Sequence, residues 1–205
     1  MRRTKAEADQ TRHGVILAAE RVFYAKGVLN STLDDVAHEA GVTRGAIYWH
    51  FANKTELFLA LYDSVPLPQE DMLNDAVDRD GTEVLQAVEA AACHWLELLA
   101  GDEQRQRMFT ILLRCDYTEE LLTVLEKQQA MDDHHASQLE RGFAKARQSG
   151  ALSAAWTPFT ASRSVSWLIK GMCADWLLFG KRFDLAVDGV NSVRALFQTF
   201  RPATA

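Results

Sequence analysis

Residues 33–51 read LDDVAHEAGVTRGAIYWHF, and this stretch decides how the rest of the chain is interpreted. Apolar residues recur three and four positions apart on both sides of Gly41, which predicts two short helices with a tight turn between them. A shared inner face would be formed by Leu33, Val36, Ala37, Ala40, Val42, Ile47 and Phe51. Two short helices joined by a glycine-containing turn are typical of a helix-turn-helix.

The outer face of the second helix is polar and aromatic. At 100° per residue, the side opposite or flanking Ile47 and Phe51 carries Arg44, Gly45, Tyr48, Trp49 and His50. An arginine can pair with guanine edges or phosphate, and a glycine lets backbone approach a duplex closely. These residue types predict a surface that reads the major groove. On spacing alone, Tyr48, Trp49 and His50 could equally be ordinary, partly buried helix residues.

A second group of polar residues suits phosphate contacts, which hold the register of a protein on DNA without reading sequence. Its members are Thr32, Thr43, Tyr48, His50 and Lys54, and helix N-terminal amides could assist them. The predicted DNA-binding residues also include Arg2, Arg3, Arg44, Gly45, Ala46 and Trp49. Residues 1–55 carry eight Lys/Arg against six Asp/Glu, and the remainder carries fourteen against twenty-two. Any DNA-binding surface is therefore expected near the beginning of the chain.

The whole chain predicts an all-α fold of about nine helices, because helical apolar spacing recurs almost throughout and strand signals are scarce. The predicted helices cover about 11–26, 33–40, 43–51, 54–64, 82–100, 103–114, 118–148, 158–180 and 184–200. Pro66 and Pro68 mark a plausible break in the chain. We assign 1–55 to a three-helix DNA-binding domain and 56–205 to a second helical domain.

Composition and motifs narrow the function classes. The chain has 205 residues, 48% of them hydrophobic, and can fill a substantial core. No apolar run approaches the roughly 18 residues of a membrane span, so we expect a cytoplasmic protein that does not bind membranes. Cys93, Cys115 and Cys173 are too scattered for a disulfide framework, and buried, inert thiols are favoured over redox sensing.

Catalytic motifs are missing from the sequence. It has no glycine-rich phosphate loop, nucleophile motif or metal-ligand spacing, which argues against an enzyme and predicts no cofactor. His134 and His135 point in different directions on a helix, so a solvated surface is favoured there over a metal site. A purely structural helical interaction protein fits the composition as well as a DNA-binding protein does. Specific DNA binding distinguishes the two.

Residues 10–58 resemble the DNA-binding domain of the TetR family of repressors, most specifically over TRGAIYWHFANKTELF at 43–58. Over its whole length the chain is similar to the AcrR-type regulators of multidrug efflux pumps, with supporting matches at RRTKAEA, LLRCDY and GMCADWLLFGKRFDL. The resemblance implies that the first three helices and the start of the fourth read DNA. The remaining helices would form a body that binds ligand, dimerises and moves the paired reading heads apart.

The function implied by the resemblance is repression of a multidrug efflux operon. The repressor would bind a palindromic double-stranded operator and leave it when a small hydrophobic drug, dye or phenolic enters the body. By position, the resemblance points to seven ligand-binding residues: Val65, Ala91, His94, Met108, Leu112, Ile169 and Lys170. Plain core packing is favoured for Met108 and Leu112. Lys170 lies in an apolar run, so its ammonium either reaches solvent or meets an acidic group or ligand.

A homodimer is expected because one helix-turn-helix makes too few contacts for operator selectivity. We predict an interface on the last two helices, formed by Val165, Leu168, Met172, Trp176, Val190, Val193 and Phe197. The same apolar stripes could instead belong to the core of a single protomer.

Overall fold

A computed structural model describes residues 4–65, 74–79 and 83–202. Within these ranges there are nine longer α-helices and no strand, which confirms the predicted all-α class. They are α1 Lys5–Lys26, α2 Leu33–Ala40, α3 Arg44–His50, α4 Lys54–Ser64, α5 Glu83–Gly101, α6 Glu103–Leu113, α7 Leu122–Gln148, α8 Pro158–Leu178 and α9 Val190–Phe200. A helical turn over 74–77, a 3₁₀ turn Glu119–Leu121 and a π-helical segment Leu185–Gly189 connect them.

Some predicted helix ends were wrong. Helix α1 begins at Lys5 and not near residue 11, because Thr4 and Glu7 form a capping box that extends it by more than one turn. The helix predicted from 118 begins only at Leu122, after the 3₁₀ turn. Helix α8 ends before Gly180, whose φ of 84° belongs to the left-handed region.

The last predicted helix is divided in two. Residues 185–189 are π-helical and α9 begins at Val190, whereas the sequence predicted one helix over 184–200. A Cβ atom at Gly189 would lie 3.3 Å from the side chain of Leu96 on α5. The close approach of two helices at this glycine is a tertiary feature that the local pattern does not contain.

Three caps and one glycine position the helix-turn-helix. Thr32 and Thr43 accept hydrogen bonds from backbone amides of α2 and α3, and Asn53 does the same for α4. Gly41 ends α2 at φ 65° and ψ 29°, a left-handed conformation that side chains other than glycine rarely adopt. These local devices fix the turn that leads into α3.

The chain divides into two compact units. The first unit joins residues 4–65 to 104–128, and the second joins 74–79 and 83–103 to 129–202. The core of the first unit includes Ile47, Phe51 and Leu57, and Phe23 packs edge-on against Phe58 at 5.7 Å between ring centroids. The helix-turn-helix thus shares one core with α6.

An ion pair between a buried carboxylate and a partly exposed arginine also joins α1 to α6 within the first unit. The carboxylate of Glu20 lies 2.5 Å from Nε of Arg107. Only 3% of the Glu20 side chain is exposed, against 34% of the Arg107 side chain. An acidic group this deeply buried depends on its cationic partner.

The second unit is built around an aromatic cluster. Phe200 on α9 lies 5.0 Å from Phe143 on α7, 5.0 Å from Phe197 and 4.9 Å from Trp156, measured between ring centroids. The edge-on arrangement of these rings is the favoured one for aromatic packing. No helix in the described ranges combines the length and the apolar character that crossing a membrane requires.

Candidate nucleic-acid interface

Helix α3 buries one face and exposes the other, as the helical wheel predicts. Ile47 and Phe51 are buried in the core of the first unit, while 72% of Trp49 and 45% of Tyr48 are exposed. His50 is half-buried and its ring lies edge-on to Trp49, 4.5 Å between centroids. The alternative of partial burial therefore applies to His50 and not to Trp49. Two consecutive exposed aromatics, Tyr48 and Trp49, on a helix anchored in the core are consistent with a surface that contacts a partner.

Arg44 begins α3 and lies between two side chains. Its Nε is 3.2 Å from Oδ1 of Asp34 on α2, and its Cζ is 5.5 Å from the centroid of the Tyr48 ring. Hydrogen bonding to Tyr48 and then the charge of Asp34 raise the pKa of Arg44 above its usual value. The guanidinium is thus a fixed positive charge on the exposed face of the helix-turn-helix.

The first turn of α3 leaves room for close backbone approach. A Cβ atom added at Gly45 would meet no heavy atom within 4 Å, so the space in front of this residue is open. Ala46 is half-buried, and its amide donates to the hydroxyl of Thr43. Small side chains here let a helix backbone come near a duplex.

The threonines predicted to contact phosphate already act as caps. The Thr32 hydroxyl donates to Asp35 Oδ2 at 2.8 Å and accepts from the Asp35 amide. A hydrogen bond from Lys26 and two from Thr32 hold the pKa of Asp35 well below its usual range. Phosphate binding by Thr32 stays a prediction, and the structure gives this residue a structural task as well.

Lys54, which the sequence predicts to contact phosphate, has a largely buried side chain. Only 13% of its side chain is exposed, and its ammonium donates to the backbone carbonyls of Leu29 and Ser31. It also lies 3.7 Å from a carboxylate oxygen of Glu120. These contacts tie the α1–α2 loop to the start of α4, so a phosphate contact by Lys54 stays a prediction. Arg2 and Arg3 lie outside the described residues.

Two charged residues beside α3 are not among the DNA-binding residues predicted from the sequence. Asp34 contacts Arg44, and the guanidinium of Arg12 on α1 lies 5.1 Å from the centroid of the Phe51 ring. Neither residue has a motif of its own. The ten-residue separation of Asp34 and Arg44 becomes a contact only through the tight turn at Gly41.

Two sequence profiles match most of the chain. Residues 15–61 match the bacterial regulatory proteins of the tetR family, and residues 83–202 match the C-terminal region of MAATS-type transcriptional repressors. The chain belongs to the TetR family. BepR of Brucella suis and NalD of Pseudomonas aeruginosa, which resemble this chain, are transcriptional repressors. This TetR-family chain is therefore a regulator and not an enzyme.

Relatives from several bacteria resemble this TetR-family chain over nearly its whole length. The HTH-type transcriptional repressor BepR of Brucella suis is 37% identical, with 98% of this chain and 97% of BepR covered. The crystal structure of NalD, the secondary repressor of the MexAB-OprM multidrug efflux pump in Pseudomonas aeruginosa, superposes with a TM-score of 0.86. NalD is 34% identical, with 96% of this chain and 98% of NalD covered.

A third relative has been solved with a small molecule. A complex of SmeT with triclosan matches with a TM-score of 0.80 and 31% identity, covering 95% of this chain and 96% of SmeT. SmeT is the repressor of the Stenotrophomonas maltophilia multidrug efflux pump SmeDEF. These matches confirm the resemblance to TetR-family regulators of multidrug efflux.

The predicted ligand-binding residues fall in both units of the TetR-family chain. In the first unit, the buried core includes Val65, Met108 and Leu112, as expected if the last two are packing residues. In the second unit, the residues in question are Ala91, His94, Ile169 and Lys170. Ala91 is buried and His94 lies 3.8 Å from Glu97. Their role in ligand binding stays a prediction.

The structure shows whether the Lys170 ammonium reaches solvent or meets an acidic group. Its ammonium is exposed and lies 2.7 Å from a carboxylate oxygen of Asp132 on α7. It therefore reaches solvent and meets an acidic group at the same time. Within the described ranges, no group of three or more His, Cys, Asp or Glu side chains is placed to hold a metal ion.

Most residues predicted for the dimer interface lie inside the protomer. The buried members are Val165, Trp176, Val190, Val193 and Phe197, and the half-buried ones are Leu168 and Met172. This burial is what the alternative of a protomer core predicts. On α8, the large apolar side chains that face solvent are instead Phe159 and Trp167, with 50% and 66% exposed.

Proposed function

We propose that this chain represses multidrug efflux genes and is released from its operator by small hydrophobic compounds. The observation that carries the proposal is the outer face of α3, where Arg44, Tyr48 and Trp49 stand exposed on a helix anchored by Ile47 and Phe51. The likeness to NalD, a repressor of a multidrug efflux pump, supports the choice of target genes. The triclosan complex of SmeT supports a small hydrophobic ligand.

The contacts with DNA divide by chemistry. Arg44, Gly45 and Trp49, which are exposed on α3, and the half-buried Ala46 would meet base edges in the major groove. The phosphate contacts would come from Arg2, Arg3, Thr32, Thr43, Tyr48, His50 and Lys54. Because residues 56–205 carry an excess of acidic side chains, DNA would repel them and the protein would approach DNA with residues 1–55 first. Binding to the chromosome would place the protein in the cytoplasm.

The ligand would bind within residues 56–205, the domain that follows the helix-turn-helix. Ala91 and His94 on α5 and Ile169 and Lys170 on α8 are the candidates in the second unit. Val65, Met108 and Leu112 are the candidates in the first, and their apolar side chains favour a hydrophobic drug, dye or phenolic over a charged metabolite.

Binding to DNA upstream of the chain's own gene and its neighbours tests the proposal. We expect a specific complex at moderate salt that a panel of hydrophobic antibiotics, dyes and phenolics dissociates in a concentration-dependent way. Fluorescence anisotropy with labelled upstream DNA, against unrelated DNA of equal length, measures both steps. If no upstream fragment is preferred over unrelated DNA, the repressor proposal is wrong. If the preferred complex ignores every compound, the ligand-release half is wrong.

We further propose a homodimer in which the outer faces of α8 and α9 meet those of a second copy, so that two heads read a palindrome. Trp167 is the largest exposed side chain on α8 and would be buried in the dimer. Tryptophans at the centre of interfaces commonly contribute about 2 kcal/mol or more each, and a twofold interface counts each residue twice.

Trp167→Glu is therefore expected to raise the dimer dissociation constant by about 30-fold to 1,000-fold, which corresponds to roughly 2 to 4 kcal/mol. Analytical ultracentrifugation across a concentration series measures the change. Trp49→Glu is a matched control, because it makes the same replacement at an exposed tryptophan of the reading head. Equal dissociation constants for the wild type and Trp167→Glu would remove α8 from the interface.

A further inference from the structure

An acidic side chain stands on the surface that meets a polyanion. Asp34 lies in the first turn of α2 with 53% of its side chain exposed, and it pairs with Arg44, of which 69% is exposed. A carboxylate beside a DNA-reading arginine repels phosphate and partly neutralises the arginine. Surface ion pairs of this kind contribute little to folding stability, and the helix-dipole stabilisation by a carboxylate in the first turn of α2 does not require contact with Arg44.

The geometry of the pair leaves one part of the arginine available. Asp34 Oδ1 lies 3.2 Å from the Nε of Arg44, and the Tyr48 side chain lies against the guanidinium and hydrogen-bonds to it, which leaves Nη N–H donors for other partners. A guanidinium carries five N–H donors in a planar fork, of which Nε supplies one and the two Nη groups supply four. The Nη groups form the pair of donors that matches the O6 and N7 acceptors of guanine.

We infer that Asp34 is a positioning residue for base recognition. It holds Arg44 so that the Nη groups of the arginine donate to a base pair and not to a phosphate. The inference rests on the proposed DNA-reading role of α3. Holding Arg44 from the Nε side and against Tyr48 reduces the number of side-chain conformations that are lost on binding. The same carboxylate disfavours complexes in which Arg44 merely contacts the DNA backbone, because Asp34 would then lie near phosphate.

The first unit contains a second ion pair with the same contact between an arginine Nε and a carboxylate of α2, but it involves no residue of α3. Glu39, also on α2, lies 2.6 Å from Arg21 on α1, and both side chains are substantially exposed. Glu39→Gln removes one negative charge from the same helix without changing the partners of Arg44. It therefore separates the effect of net charge from the effect of holding the arginine.

Asp34→Asn is expected to weaken operator binding and strengthen binding to unrelated DNA, lowering the ratio of the two affinities by about tenfold. The freed arginine adds about one phosphate contact on unrelated DNA, so the plot of log affinity against log salt steepens by about one per head. Glu39→Gln should leave the ratio unchanged, and Asp34→Glu, which keeps the charge, should restore much of it. Circular dichroism checks that each variant is folded.

The Arg44→Ala background shows whether Asp34 acts through the arginine. There, Asp34→Asn should produce no further loss of discrimination, and in the wild-type background it should relax preference at the same base pair as Arg44→Ala. An unchanged affinity ratio in Asp34→Asn overturns the inference, as does an equal fall in Glu39→Gln or an undiminished effect without Arg44. If the wild type itself prefers no upstream DNA, the proposed function fails and the inference with it. If the wild type discriminates but Asp34→Asn does so equally well, only the inference fails.

Discussion

Arg44→Ala is expected to reduce operator affinity by at least about thirtyfold while leaving a folded protein. A bidentate contact between arginine and a base pair contributes about 1 to 3 kcal/mol of discrimination, and the proposed dimer makes it twice, for roughly 2 to 6 kcal/mol. Because 69% of the side chain is exposed, its removal opens no cavity in the core. Titration of labelled operator and of unrelated DNA at one salt concentration measures the loss.

Arg44→Lys is the matched variant for this prediction. Lysine keeps the positive charge and loses the planar fork, so binding to unrelated DNA should stay near the wild-type value while preference for the operator falls. Thermal unfolding of both variants should match the wild type within about 0.5 kcal/mol. Unchanged operator affinity in Arg44→Ala would show that the reading surface lies elsewhere.

The helix-turn-helix could be predicted closely because its signals are local. Thr32, Thr43 and Asn53 are residue types that favour helix N-termini, and in the structure each caps the helix that follows it. Gly41 marks the turn because left-handed backbone favours glycine. The early start of α1, which the sequence prediction missed, also has a local signal, since Thr4 and Glu7 have the spacing of a capping box.

Contacts through space were not readable in the same way. Helical spacing identifies apolar stripes on α8 and α9, but a protomer core and a dimer interface need the same stripes, so Val165 and Phe197 could not be assigned from their spacing. The bonds of Lys54 to Leu29 and Ser31 join residues more than twenty positions apart. Only the folded chain brings these partners together.

The ion pair of Glu20 and Arg107 is a further case, and it carries the largest expected effect on stability. Arg107→Met is expected to lower the free energy of unfolding by about 3 to 5 kcal/mol, because it leaves a buried carboxylate without this cation. The pair lies 2.5 Å apart and joins α1 to α6 within the first unit. Urea unfolding followed by circular dichroism measures the loss.

The two halves of the pair are unequal, which gives the prediction its control. Glu20→Gln should destabilise less than Arg107→Met, because Arg107 is 34% exposed and water can solvate it, whereas Glu20 is 3% exposed. Replacing both residues with methionine should recover most of the stability, since apolar substitutes of similar volume can match a buried ion pair. Small and equal effects of the two single variants would contradict this account. The double variant lacks the Glu20 carboxylate, so it should be more stable than Arg107→Met if that unpaired charge causes the loss. If the two variants are equally stable, the loss comes from the packing of the arginine stem.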